Sequence, residues 1–171
     1  MKQLLKTPIF EVIERDDAYA GFKPVSVVSP DWVTIVVEKD GKFLRETQFR
    51  FGLQRTCEEF PCGMAEPGET PEEAAARELA EETGIVVDRR DLVFIGSCAA
   101  NPAFMTNRMH YFFVDLSSVG FSEQEKKLDE HEKLTTYWQD KSAAVKSIGD
   151  DQYASVFAVA CVGLLREKNI I

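Results

Sequence analysis

Apolar, β-branched runs at residues 9–15, 25–28 and 32–38 predict strands, punctuated by Gly21, Pro24, Pro30 and Asp31. Asp40 and Gly41 supply a hairpin turn, since both central positions of the tight two-residue turn take positive φ, and residues 43–51 follow as the partner strand. A loop then leads to a segment with helical period, residues 70–84. Residues 85–87, 92–97 and 109–116 read as further strands, with a short one at Tyr137 and Trp138 after an acidic loop. Two helices close the chain, one near residues 141–147 and an apolar one over about residues 152–167. Mixed strands with helices on both sides predict an α/β or α+β sandwich, preceded by an N-terminal strand region within residues 1–40.

The ends of the central helix are written in the sequence. Thr70, Pro71, Glu72 and Glu73 form a capping box with proline at the first helical position, where its missing N–H costs nothing. Gly84 ends the helix, because glycine enters the left-handed conformation without a Cβ penalty. Within it, Glu78, Glu81 and Glu82 stand three and four positions apart and are expected on one face, with Ala76, Leu79, Ala80 and Thr83 packing on the opposite one. Like charges at this spacing repel, so the cluster needs compensation. A hard divalent cation such as Mg²⁺, which prefers oxygen ligands, suits it.

Composition narrows the classes. With 171 residues and 44% hydrophobic content, residues 1–171 make one well-cored domain. A net charge of −9 argues against a nucleic-acid ligand, which needs a basic surface to release counterions. Cys57, Cys62, Cys98 and Cys161 show neither zinc-type pairs nor disulfide-scaffold density, and are expected to be reduced and mostly buried. Neither a signal-peptide core nor a run of about twenty apolar residues occurs. The expectation is a soluble cytoplasmic protein without membrane contact.

Gly63, Glu69, Arg77, Glu78, Leu79, Glu81, Glu82, Gly84 and Ile85 together resemble the signature of the Nudix hydrolases at every specified position. The resemblance implies the Nudix fold, Mg²⁺ with Mn²⁺ as a possible substitute, and cleavage of a diphosphate bond in a nucleoside diphosphate linked to another group. It makes Glu82 the expected direct metal ligand, with Glu78 and Glu81 sharing the site directly or through water and a backbone carbonyl at Cys62 or Gly63 completing it. Arg77 would orient the glutamates, paired with Glu69.

Segments outside the signature resemble the ADP-ribose and ADP-sugar pyrophosphatases. Arg50, in the run 48–51, would contact the diphosphate or terminal ribose, for which a guanidinium is well shaped, and Glu59 would lie in the substrate pocket. Pro102 resembles the subgroup's loop proline, although Asn101, Ala103, Phe104 and the run 106–108 depart from its usual chemistry and leave another nucleotide sugar open. In the acidic loop, Glu130 takes the position of the subgroup's general base, with Glu132 or a helix glutamate as alternatives; His131 reads as incidental and His110 as a satisfied core residue. The subgroup forms homodimers, which casts the N-terminal strands as a pairing region and leaves Phe10, Phe22 and Trp32 either to pack or to stack on a base. Alternatives to a nucleotide-sugar substrate are nucleoside triphosphates or dinucleoside polyphosphates, or a non-catalytic nucleotide-sensing module.

Overall fold

The computed structural model describes residues 1–16, 21–128, 133–152 and 154–171. Strands β1 (Lys2–Lys6), β2 (Glu11–Glu14) and β3 (Val25–Val28) form a small antiparallel sheet. The main sheet contains β4 (Trp32–Lys39), β5 (Lys42–Arg50), β6 (Arg55–Glu59), β7 (Cys62–Met64), β9 (Val93–Ala99), β10 (Arg108–Asp115) and β12 (Leu134–Asp140). Its order is β12-β5-β4-β10-β9, with β6 added on β5 and β7 on β4. A ribbon of β8 (Ile85–Val87) and β11 (Phe121–Glu123) flanks helix α1 (Pro71–Thr83), and α2 (Lys141–Asp150) and α3 (Val156–Glu167) close the chain.

β4 shows why this becomes a three-layer structure. Val33, Ile35 and Val37 face one way and join Ala74, Ala75, Leu79, Phe112 and Val114 beneath α1. Val36 faces the other way, into a second core with Phe43, Tyr111, Ala144, Ile148, Cys161 and Leu165 under α2 and α3. The alternation of a strand thus feeds two cores at once. β10 lies parallel to β4, with Met109 opposite Trp32 and Asp115 opposite Glu38, so the chain leaves and returns over α1 before pairing.

The hairpin turn is found where the sequence put it, with Asp40 and Gly41 both at positive φ, 51° and 74°. The α1 caps also hold. Thr70 accepts from the Glu73 N–H while the Glu73 side chain accepts from the Thr70 N–H, and Gly84 takes φ 78°.

Several boundaries differ from expectation. β1, β6, β7 and β11 were not anticipated: these strands have three to five residues, and their order comes from the neighbours they pair with. α3 begins only at Val156, where Ser155 caps it by accepting from the Ala158 N–H. One side of α1 was also misjudged. Glu82 does not oppose the packing face but shares it with Ala75 and Leu79, at i, i+4 and i+7, and is 1% exposed.

Candidate active site

β7 and α1 build the site between them. Pairing with β4 fixes the main chain of Cys62, Gly63 and Met64 opposite Thr34, Val33 and Trp32. The Cys62 N–H then donates to Glu82 Oε2 at 2.9 Å, which allows this carboxylate to be buried inside the fold. Gly63 is required by its neighbour: a Cβ there would stand 2.0 Å from the Glu78 carboxyl carbon. Glu78 therefore lies directly on the β7 backbone.

Arg77 is the hub. Its Nε and Nη2 donate to the two oxygens of Glu69, each at 2.9 Å, in the bidentate arrangement suited to guanidinium and carboxylate. Nη1 donates to Glu78 Oε1 at 2.9 Å and Glu81 Oε2 at 3.0 Å, and Nη2 also reaches the Met64 carbonyl at 2.9 Å. The bond from Arg77 holds the Glu69 carboxyl below its ordinary value, and the carboxylates raise the arginine above its own. Glu69 is fixed further by the Glu66 N–H at 2.9 Å. The expected Arg77–Glu69 pairing is thus present, and one guanidinium ties β7, the loop after it and two of the three helix glutamates together.

A second cation stands on the sheet side. Arg50 Nε donates to Glu59 Oε2 at 2.8 Å, Nη2 makes a further contact with the same oxygen, and Nη2 also reaches Cys62 Sγ at 3.4 Å. Carboxylate oxygens of Glu46 and Glu59 and the Cys62 sulfur lie within 4.8 Å of one another. Arg50 supplies a positive charge to this group. Burial is the largest single influence and opposes that charge, but the bond to Glu59 and the surrounding negative charges together outweigh it and raise the Arg50 pKa. Burial, followed by the charges of Glu46 and Glu82, pushes the Cys62 thiol well up, so it remains protonated and contributes to the site through its backbone.

Between these cations opens a cleft of about 500 Å³, lined by Trp32, Arg50, Cys62, Gly63, Arg77, Glu78, Glu81 and Lys127, with Pro8, Pro30 and residues 64–67 at its edge. The donor set suits a hard divalent cation. Glu78 and Glu81 reach the cleft, Glu82 lies behind them against the Cys62 N–H, and the backbone of Cys62 and Gly63 runs alongside.

The structure brings Arg50, Cys62, Gly63, Arg77, Glu78, Glu81 and Glu82 together. Glu59 is 6% exposed and sits behind Arg50 as its partner. Pro102 lies in an exposed turn docked on β3, where the Val27 N–H donates to the Phe104 carbonyl at 2.8 Å. Glu130, with Glu132 and His131, falls outside the described residues. His110 Nε2 lies 2.9 Å from Asp31 Oδ2, a satisfied histidine as expected. Trp32 lines the cleft and also meets the Phe157 ring at 5.9 Å, so packing and exposure to a ligand coexist in it. Sequence reasoning missed Glu46 and Lys127, because a strand glutamate and a loop lysine carry no local signal of where they end up.

Residues 14–158 match the family model described as the NUDIX domain. This chain belongs to the Nudix family of hydrolases. It is 39% identical over 98 residues to an ADP-ribose pyrophosphatase of Bacillus subtilis (strain 168), an alignment covering 57% of this chain and 51% of that protein. A shorter stretch of 37 residues is 60% identical to an ADP-sugar pyrophosphatase of Mus musculus, covering 22% of this chain and 17% of that protein. The chain spans about half the length of the Bacillus subtilis relative it matches. In three dimensions it is similar to a crystal structure described as an ADP compounds hydrolase, with TM-score 0.80 and 23% identity over 98% of this chain and 90% of that one, a likeness of fold. Among the described residues, no helix is long and apolar enough to cross a membrane, and the four cysteines are free thiols.

Proposed function

We propose that this Nudix hydrolase cleaves the diphosphate of a nucleoside diphosphate sugar, ADP-ribose or a related compound, to a nucleoside monophosphate and a sugar phosphate. The observation that carries the reading is that Arg50 shares one cleft with Glu78, Glu81 and the Arg77 hub, so phosphate-binding and metal-binding chemistry meet there. The Bacillus subtilis and Mus musculus relatives support the substrate class.

In this reading Glu78, Glu81 and Glu82, with a carbonyl of Cys62 or Gly63, hold Mg²⁺, for which Mn²⁺ can substitute. When bound, the cation supplies Lewis acidity to the phosphoryl oxygens and acidifies coordinated water. The protein does the rest by position. Arg77 fixes the rotamers of Glu69, Glu78 and Glu81, and Gly63 keeps the backbone clear of Glu78. Arg50 faces the diphosphate with Glu59 behind it. Glu130 takes the proton of the attacking water, with Glu132 or a helix glutamate as alternatives. The loop carrying Pro102 contacts the second half of the substrate.

The protein acts as a homodimer joined through its N-terminal strands, whose exposed Leu4, Leu5 and Val25, with Ile9 in the bend between β1 and β2, supply apolar surface for a second copy. The free thiols suit the reducing cytoplasm in which we place it.

The test is Glu82→Gln, which keeps the shape of a buried side chain and removes its charge. Release of monophosphate from ADP-ribose with Mg²⁺ should fall by about a hundredfold or more at unchanged circular dichroism, on the scale by which disturbing a metal site reduces activity. Near-normal turnover would remove Glu82 from the mechanism. A wild-type enzyme that prefers nucleoside triphosphates over ADP-ribose and other nucleotide sugars would replace the substrate assignment.

A further inference from the structure

After β11, residues 124–128 run across the C-terminal end of α1 and bond to it twice. The Gln124 N–H donates to the Gly84 carbonyl at 2.8 Å and the Lys127 N–H to the Glu81 carbonyl at 2.9 Å, satisfying oxygens that a helix end leaves without an internal partner. The approach is close enough that a Cβ on Gly84 would stand 2.4 Å from the Gln124 oxygen. The backbone of Lys127 is thus fixed by the same helix that carries the glutamates. Lys126 is directed to β12, where its Nζ donates to Thr136 Oγ1 at 2.7 Å, while Lys127 lines the cleft beside Arg50, Arg77, Glu78 and Glu81.

Among the described residues, the three cleft cations Arg50, Arg77 and Lys127 differ in what a phosphate must displace to reach them. Arg77 already serves Glu69, Glu78, Glu81 and the Met64 carbonyl. Drawing Arg50 away from Glu59 would leave a buried carboxylate without its counter-charge, a costly state. Lys127 has no carboxylate partner among the described residues, and its ammonium offers three donors on a flexible stem.

We infer that Lys127 is a substrate-binding residue that contacts the phosphate oxygens of the diphosphate. This rests on the proposal that the cleft takes a diphosphate, and adds to it the cation that reaches the substrate without breaking an ion pair among the described residues.

The test uses the full chain with Mg²⁺ and two probes that differ in the nucleoside, α,β-methylene-ADP and inorganic pyrophosphate, titrated by calorimetry into wild type, Lys127→Met and Lys127→Arg. The methionine variant should bind both probes about tenfold more weakly, as loss of a charge-assisted hydrogen bond implies, and the arginine variant should recover most of that loss. Mn²⁺ affinity without a probe, followed by electron paramagnetic resonance, should change less than about twofold, since the lysine acts on phosphate rather than on the carboxylates. Equal affinity of wild type and Lys127→Met for both probes overturns the assignment while leaving the nucleotide-sugar reading intact. Pyrophosphate binding that is weakened in Lys127→Met, together with a wild type that ignores α,β-methylene-ADP, keeps Lys127 and sinks the nucleoside reading. A wild type that binds neither probe overturns both.

Discussion

At the centre of the main sheet, β4 buries Val33, Ile35, Val36 and Val37 completely, whereas every residue of β1 in the N-terminal sheet is exposed. The contrast extends to what holds each region. Around β7 and α1, contacts interlock: Cys62 bonds Glu82, Arg77 joins Glu69, Glu78 and Glu81, and Gly63 admits the Glu78 carboxyl where no Cβ fits. The small sheet relies on its backbone ladder, on hydrogen bonds between Val27 and the loop at Phe104 and Thr106, and on solvent-facing ion pairs such as Lys6 with Glu11 and Lys23 with Glu14. Such pairs contribute roughly 0–1 kcal/mol each. A change near the helix should therefore cost chemistry, and a change in the small sheet should cost assembly.

The largest effect that tests this division is Gly63→Ala. The methyl group must displace the Glu78 carboxyl, the mobile end of its side chain, so the fold can yield while the site cannot. Expected is a loss in kcat/KM of about a hundredfold with a stability change of only about 1 kcal/mol, measured by monophosphate release and thermal unfolding. Full activity would mean that the tight packing of β7 on α1 does not govern the site.

Leu5→Asp addresses the other side of the comparison. Leu5 is 50% exposed within one chain, so a carboxylate there should alter single-chain stability by no more than about 0.5 kcal/mol. Light scattering should show the proposed dimer giving way to a monomer. A variant that remains dimeric moves the pairing surface elsewhere, and a wild-type monomer removes it.

The smallest effect sharpens the contrast from within the well-packed body. Asp140 caps α2, accepting from the Ser142 hydroxyl at 2.6 Å, the Ser142 N–H at 2.9 Å and the Ala143 N–H at 3.1 Å. The hydroxyl bond first, then the Ala143 N–H, hold its carboxyl below the ordinary value. A depressed carboxylate pKa contributes stability above the unfolded value near about 3.9, and that contribution disappears as pH falls through the lower folded value. Asp140→Asn retains a capping oxygen without the charge. Thermal melts should show a small deficit at neutral pH that vanishes at strongly acid pH. A deficit that persists there would assign it to lost geometry instead.

The site divided along the same line when read from sequence. Gly63, Glu69, Arg77 and the three glutamates were legible because their spacing is a property of one loop and one helix. The Arg77–Glu69 pair, implied by the Nudix resemblance, was found. The orientation of the helix was not legible. Helical spacing placed the three glutamates on one face opposite the packed one, yet Glu82 turned inward, since burial becomes acceptable once the Cys62 N–H is there to bond it. Glu59, assigned to the substrate pocket, stands behind Arg50, because the pairing of β5 with β6 sets Glu59 across from Glu46.

The chain by itself determined whatever depends on neighbours a few residues away: the Thr70 box, Pro71 and Gly84 bounding α1, the Asp40–Gly41 turn and the alternation of β4. These are choices of backbone dihedral and side-chain period, which local sterics decide. Only the tertiary structure decided that β7, three residues long, would exist, that β10 would lie parallel to β4, and that Lys127 would enter the cleft across the end of α1. Each of these joins segments far apart along the chain, and their stability comes from hydrogen bonds and burial that no stretch of residues possesses until the others are in place.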